Sequence, residues 1–374
     1  MLSWIEIDAT NIRVNIEVLR NSVPAGTLVM AVVKANAYGH GLREVAPIAA
    51  ERADWLGVNS IDEATEISRL GISKPIAILG YSSADSAETI VAAGYRQVIY
   101  RIDAARALSS ASVSLGLPAR IQLKIESGTN RQGVRLDELA TFVNALLQLP
   151  GIEIDGAYTH FANIEDTLDP SFAQSQLKRF HDAIAILAAA NVHPPHIHAA
   201  ATAGALLYPH SGFSMIRIGI GTYGIWPSRE TQLAARERGR PIPLSPALTW
   251  KTRIAQVKTI PTGDYVGYGL TFQAGHEMRV GVLPIGYYDG YDRKLSNSAR
   301  VLVGGQYASV IGRVAMNMTM IDVTDIPAQN DEEVVLLGRQ GERRIHAEEL
   351  AEKSGTIAYE FLSRINPLIP RVVV

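Results

Sequence analysis

The chain contains no cysteine, which excludes disulfides, thiolate metal ligands and a cysteine nucleophile together. It has no excess of charge of either sign: 35 Lys and Arg against 37 Asp and Glu give a net charge of −2. With no clustered basic face, a nucleic-acid partner has no electrostatic support. No run approaches the roughly 18 consecutive apolar residues of a membrane span, and no membrane association is expected. The opening M-L-S-W-I-E lacks the basic and apolar regions of a secretory signal, so the expected location is cytoplasmic. There is no low-complexity tract and no metal is expected.

What is present is a globular composition. With 374 residues, 47% apolar and 19% charged, one large domain and a smaller one are the starting expectation. Short apolar runs at 28–34, 54–58, 75–79, 97–100, 119–125, 154–159, 197–200 and 216–220 alternate with longer helix-period stretches such as 61–70 and 171–191. Strands separated by helical material predict a parallel (β/α)8 TIM-like barrel over residues 1–237. A seven- or nine-unit open sheet is the alternative that a count of weak strands leaves. The proline-rich stretch 238–246 reads as a linker. Alternating runs at 249–257, 278–283, 299–303, 306–311, 318–323 and 333–338 then predict a mostly-β second domain, 238–374. The alternating run 4–8, within residues 1–10, is a candidate to pair with it.

Lys34 ends the run M-A-V-V-K and is followed by A-N-A-Y-G-H-G. Buried strands rarely end on an ammonium unless it is paired or reactive. An amine held at low dielectric loses basicity, and a neutral lysine condenses with aldehydes. On this window alone, a snorkelling lysine before an ordinary turn reads equally well. Barrel chemistry gathers at the C-terminal ends of the strands. Lys34, Arg131, His160, Thr202 and Gly219 all fall there, with Arg217 inside the last strand. Five sequentially distant groups on one rim favour a site.

The motifs V-V-K-A-N-A-Y-G-H-G (32–41), S-G-T-N-R-Q-G (127–133), Y-T-H-F-A (158–162), R-I-G-I-G-T-Y-G (217–224), G-Y-G-L-T (267–271), I-G-Y-Y-D-G (285–290), G-R-V-A-M-N (312–317) and I-A-Y-E (357–360) together resemble the alanine racemase family of pyridoxal 5'-phosphate enzymes. The resemblance spans essentially the whole chain. It implies interconversion of L- and D-alanine for peptidoglycan synthesis, with Lys34 carrying the cofactor. Tyr38, Thr202, Gly219, Ile220 and Tyr359 would hold its phosphate through hydroxyls and backbone N–H groups. A plainer reading makes Thr202 a helix N-cap.

By the same resemblance, Arg217 would face the pyridine nitrogen with His198 bracing it. An arginine cannot accept a proton there and leaves the ring neutral, which suits return of a proton to the same carbon. Lys34 and Tyr268 would be the two bases, Tyr268 arriving from the partner of a homodimer with shared sites and His160 hydrogen-bonding its phenol. Arg131 and Met316 would receive the substrate carboxylate. Tyr287, Arg293 and Arg313 would line the entrance, which Tyr359 narrows. Lys124 matches a lysine often carbamylated in the family; a plain strand lysine is the competing reading. Glu126-Ser127 and Thr129-Asn130 depart from the usual Asp-Thr and Met-x, Ala201 from asparagine, Ala315 from cysteine and Asn317 from aspartate. None of these departures removes a catalytic group.

Overall fold

The computed structural model describes residues 1–208, 213–239 and 242–374. The part of the expected linker at 240–241 lies outside them. The chain divides into two compact units, one made of 10–35 and 46–245, the other of 1–9, 36–45 and 246–374.

The first unit holds eight strands: Leu28–Val32, Trp55–Val58, Ile76–Ile78, Arg96–Ile99, Ala119–Lys124, Ile152–Tyr158, His196–His198 and Met215–Ile218. The first seven pair consecutively in parallel, and the eighth returns to pair with the first. The barrel is nearly closed. At the remaining seam, between His196–His198 and Met215–Ile218, single hydrogen bonds such as Arg217 N to Ala200 O (2.9 Å) replace a ladder. Strands buried on both faces read as continuous apolar runs, as Leu28–Val32, Trp55–Val58 and Ile76–Ile78 do. Met30, Trp55, Ala77 and Met215 form one cluster of this core.

Helices between the strands follow their local signals. Ile61–Arg69 starts at Ser60, whose hydroxyl accepts from Glu63 N, and carries Asp62 and Glu63 in its first turn. A side-chain cap and early acidic residues satisfy the helix N-terminus. Ile102–Leu115 stops at Gly116, which is left-handed at φ 64°, a conformation that favours glycine.

The second unit is a ten-stranded sheet whose order runs Gln256–Ile260, Met278–Leu283, Thr319–Asp322, Gln306–Ile311, Arg300–Val303, Glu333–Gln340, Leu248–Arg253, Ser3–Ile7 and Arg371–Val373, with Arg343–Ile345 paired to Glu333–Gln340. Ser3–Ile7 pairs antiparallel with Leu248–Arg253 and parallel with Arg371–Val373. The expected single run 249–257 is two strands. At the break Ile254 N goes to Glu332 O and Ala255 N to Val282 O, so the chain changes partners there. A core of Ile260, Val266, Ala274, Met278, Val280 and Ile311 lies under it.

Candidate active site

The first strand stops at Val32, two residues before Lys34, which opens the short helical turn Lys34–Tyr38. That turn is left-handed: φ is 54°, 53°, 52° and 54° at Ala35, Asn36, Ala37 and Tyr38. Each such residue costs about 1–2 kcal/mol in an L-polypeptide, so the surroundings must enforce it. Ala35 N donates to Glu63 Oε1 at 2.6 Å. Asn36 accepts twice, Gly41 N on its carbonyl (3.0 Å) and Leu42 N on Oδ1 (2.8 Å). Arg371 Nη2 donates to Gly39 O at 2.9 Å. Gly39 itself has φ 83°, and a Cβ there would overlap the Leu362 carbonyl oxygen.

Within the barrel unit, Lys34 is partly buried. Burial, then the Arg131 guanidinium, lower its basicity against a smaller opposing pull from Glu63, with Arg217 lowering it further. Lys124 is buried and held well below the usual lysine range by burial and then by Arg217 and Arg131. Its Nζ lies 4.3 Å from the centre of the Tyr158 ring. Among the described residues, none of Lys34, Lys124, Arg131 and Arg217 has a carboxylate within ion-pair distance. Four cationic side chains on one rim without carboxylate partners form a site for anions.

Arg217 is the organising group. It is 4% exposed and donates from Nη1 to His198 Nδ1 at 2.6 Å, and from Nη2 to Thr159 O (2.8 Å), Ala199 O (2.9 Å) and His160 Nδ1 (3.2 Å). Burial pushes its guanidinium down to about 10. Both histidines are held well below their ordinary value, by burial first and Arg217 next, and so are neutral. Tyr158 stacks on His198 at 4.9 Å with ring planes 2° apart.

The loop carrying Arg131 is held from inside. Burial alone would raise the Glu126 carboxyl, yet backbone N–H groups of residues 128–131, that of Asn130 foremost, keep it below its ordinary value. Ser127 Oγ meets Thr159 Oγ1 at 2.6 Å, and Thr129 Oγ1 donates to His160 O at 2.6 Å. The departures at 126, 127 and 129 thus staple this loop to the strand end bearing His160. Sequence reasoning gave Glu126, Glu63 and Tyr158 no role. Glu126 had a signal, an acid immediately before a Ser-Gly-Thr-Asn turn; Glu63 had none.

Thr202 is not an N-cap. It is the first residue of Thr202–Leu207, with Ala201 in the cap position. Its Oγ1 instead accepts from Gly219 N (3.1 Å) and Gly221 N (3.4 Å). A Cβ on Gly221 would sit 2.6 Å from Thr202 Cγ2, so glycine is what lets Thr202 approach this closely. Ile220 opens the 3-10 turn Ile220–Tyr223 beside it. A reactive amine, a backbone cradle and donor-only cations fit an aldehyde-bearing phosphate ester such as pyridoxal phosphate.

In the second unit Tyr38 and Tyr359 lie with ring centres 6.1 Å apart, and burial raises the Tyr38 phenol to about 12. Tyr268 stands 75% exposed between Gly267 and Gly269, which have φ 74° and 73°. A Cβ on Gly269 would be 3.0 Å from Arg313 Cζ, so the two residues share one loop cluster. Met316 joins it, its carbonyl accepting Tyr288 N at 3.0 Å, while Ala315 O accepts Tyr287 N at 3.1 Å. The turn Arg293–Leu295 is tied in by Ser296 Oγ, which accepts Val314 N at 3.0 Å. The six second-unit candidates other than Tyr38 therefore fall on loops, on 3-10 turns and on the helix Ala358–Ser363.

Residues 7–227 match the family described as "Alanine racemase, N-terminal domain", and residues 247–373 match "Alanine racemase, C-terminal domain". The chain is 40% identical to the alanine racemase of Symbiobacterium thermophilum, over 99% of this chain and 96% of that protein. It is 41% identical to that of Syntrophobacter fumaroxidans, over 97% and 95%. Its fold superposes on the crystal structure of alanine racemase from Streptomyces lavendulae with a TM-score of 0.93, at 32% identity and covering 100% and 97% of the two chains. A histidine racemase from Leuconostoc mesenteroides superposes at 0.90, with 28% identity and 100% and 98% coverage. Carried by matches over both units, the conclusion is that this chain belongs to the alanine racemase family.

Proposed function

We propose that the protein interconverts L- and D-alanine with pyridoxal 5'-phosphate carried on Lys34. The observation that supports this most is Arg217, a buried donor-only cation braced by two neutral histidines, on the same barrel rim as a lysine of lowered basicity. When bound, the cofactor supplies an aldehyde for the substrate amine and a ring that draws charge from the α-carbon. Arg217 has no proton acceptor to offer a ring nitrogen, so charge withdrawal stays limited and the α-carbon is reprotonated rather than converted further. Lys34 moves the proton on one face of that carbon and Tyr268 on the other.

In this reading Tyr38, Thr202, Gly219, Ile220 and Tyr359 hold the phosphate. Arg131 and Met316 receive the substrate carboxylate, and Tyr287, Arg293, Arg313 and Tyr359 narrow the entrance to small side chains. Residues 1–237 carry the cofactor, and 238–374 contribute Tyr268 to the other protomer of a homodimer. The exposure of Tyr268, Met316 and Met318, at 75%, 55% and 55%, supports that pairing, since clustered apolar side chains in water mark an interface. Lys124, its basicity lowered by burial, is a nucleophile for carbon dioxide, and the carbamate would face Arg131; the mass of the intact chain distinguishes it from free lysine. The protein works in the cytoplasm, and its D-alanine feeds peptidoglycan.

Adding pyridoxal phosphate and L-alanine to the purified protein tests this: D-alanine accumulates to an equal mixture. No D-alanine, with the cofactor demonstrably bound, contradicts it. The likeness to a histidine racemase favours one second reading, a racemase of larger amino acids, which a substrate panel separates.

A further inference from the structure

Inside the barrel a single file of hydrogen bonds leaves Arg217 and crosses three strands. Arg217 Nη1 reaches His198 Nδ1 at 2.6 Å, His198 Nε2 meets Gln122 Oε1 at 3.0 Å, and Gln122 Nε2 reaches Asp155 Oδ2 at 3.2 Å. His198 and Gln122 are fully buried. A guanidinium only donates and a carboxylate only accepts. Between those ends, a neutral imidazole and an amide can be satisfied in one arrangement. His198 accepts on Nδ1 and donates from Nε2, while Gln122 accepts on its oxygen and donates from its nitrogen. Any reversal sets donor against donor.

The backbone is shaped around this file. Ile121 pairs with Ile154, but Gln122 pairs with Gly156, so Asp155 is an extra residue in its strand. Such a bulge re-aims the side chain it carries. A Cβ on Gly156 would overlap Gln122 Oε1 and lie 2.7 Å from Nε2, while the backbone there is not left-handed. Gly156 is therefore needed for space. Asp155 is itself anchored by Arg96 Nε at 3.4 Å, and Arg96 rests on the Trp55 ring at 5.0 Å.

We propose that Gln122 and Asp155 are positioning residues, which hold His198 in its Nε2–H form and through it fix the guanidinium of Arg217. This deepens the racemase reading and rests on it for the role of Arg217, though not for the orientation of His198.

The test uses the full chain labelled with 15N-histidine, with and without pyridoxal phosphate, the His198 signals being those lost in His198→Gln. The wild type shows one ring form, protonated on Nε2, with slow solvent exchange. In Gln122→Met and in Gly156→Ala the Nε2 proton exchanges about tenfold faster or more, the factor one hydrogen bond of ordinary net strength represents. In Asp155→Asn, whose amide no longer dictates polarity, a second ring state appears. In the loaded enzyme kcat for alanine falls about tenfold in the first two variants with KM little changed. A His198 ring that is unaltered in Gln122→Met and in whichever other variants fold overturns the proposal. An altered ring with unaltered turnover overturns the link to Arg217. An altered ring in a protein that racemises nothing supports the hydrogen-bond file and overturns the racemase reading instead.

Discussion

Arg217 donates to His198 Nδ1 at 2.6 Å, and the same guanidinium meets His160 Nδ1 at 3.2 Å. One cation thus keeps two imidazoles as acceptors, and protonating either would place donor against donor. His40 is a buried histidine as well, pushed down to about 4 by burial, with hydrogen bonds that its ring donates to the Tyr38 and Ala37 backbone opposing and Arg371 assisting.

A pH dependence of stability follows. In the unfolded chain a histidine takes its proton near 6.5, whereas folded His40 takes it near 4. Between those values the unfolded state binds more protons, so stability is intact above about 6.5 and is lost as pH falls toward 4. For His40 alone the loss is about 3 kcal/mol, and His160 and His198, lowered in the same direction, add to it. Urea midpoints at pH 7, 6 and 5 decline in order, and His40→Gln flattens the slope. Equal midpoints across that window contradict the assignment of neutral buried histidines.

Gly39→Ala is expected to be among the most damaging small substitutions. Its φ of 83° strains any side chain, and a Cβ would overlap Leu362 O. Together these cost about 2–5 kcal/mol, read as a drop in denaturant midpoint. Gly71→Ala serves as the control: it is also left-handed, at φ 74°, but has nothing within 4 Å, so only about 1–2 kcal/mol is lost.

The barrel was legible chiefly from strands buried on both faces, as in L-V-M-A-V at 28–32 and I-A-I at 76–78. Lys34 was legible as a cation that an apolar run does not explain. The left-handed turn after it was not. K-A-N-A-Y holds ordinary helix formers, and the sign of φ comes from Glu63, Asn36 and Arg371, the first and last of them remote in sequence. The bulge at Asp155 was equally hidden, since I-E-I-D-G-A-Y reads as an alternating strand and its partner Gln122 lies 33 residues earlier. Thr202 carried an N-cap signal that the fold overrides, because the Gly219 and Gly221 amides compete for the same oxygen.

Tyr268→Phe separates stability from chemistry. The side chain is 75% exposed, so the variant's folding stability changes by no more than about 0.5 kcal/mol. Pyridoxal phosphate still binds, while exchange of the α-proton with solvent slows strongly for L-alanine and much less for D-alanine. Proton exchange of each enantiomer in heavy water measures this. Equal losses from both enantiomers contradict a two-base division between Lys34 and Tyr268.

The reactive amine of Lys34 is tested most simply by borohydride reduction of the pyridoxal-phosphate-loaded protein followed by peptide mapping. One phosphopyridoxyl group is expected, on the peptide containing Lys34, and none in Lys34→Ala. A label on another lysine, or undiminished labelling in Lys34→Ala, contradicts it.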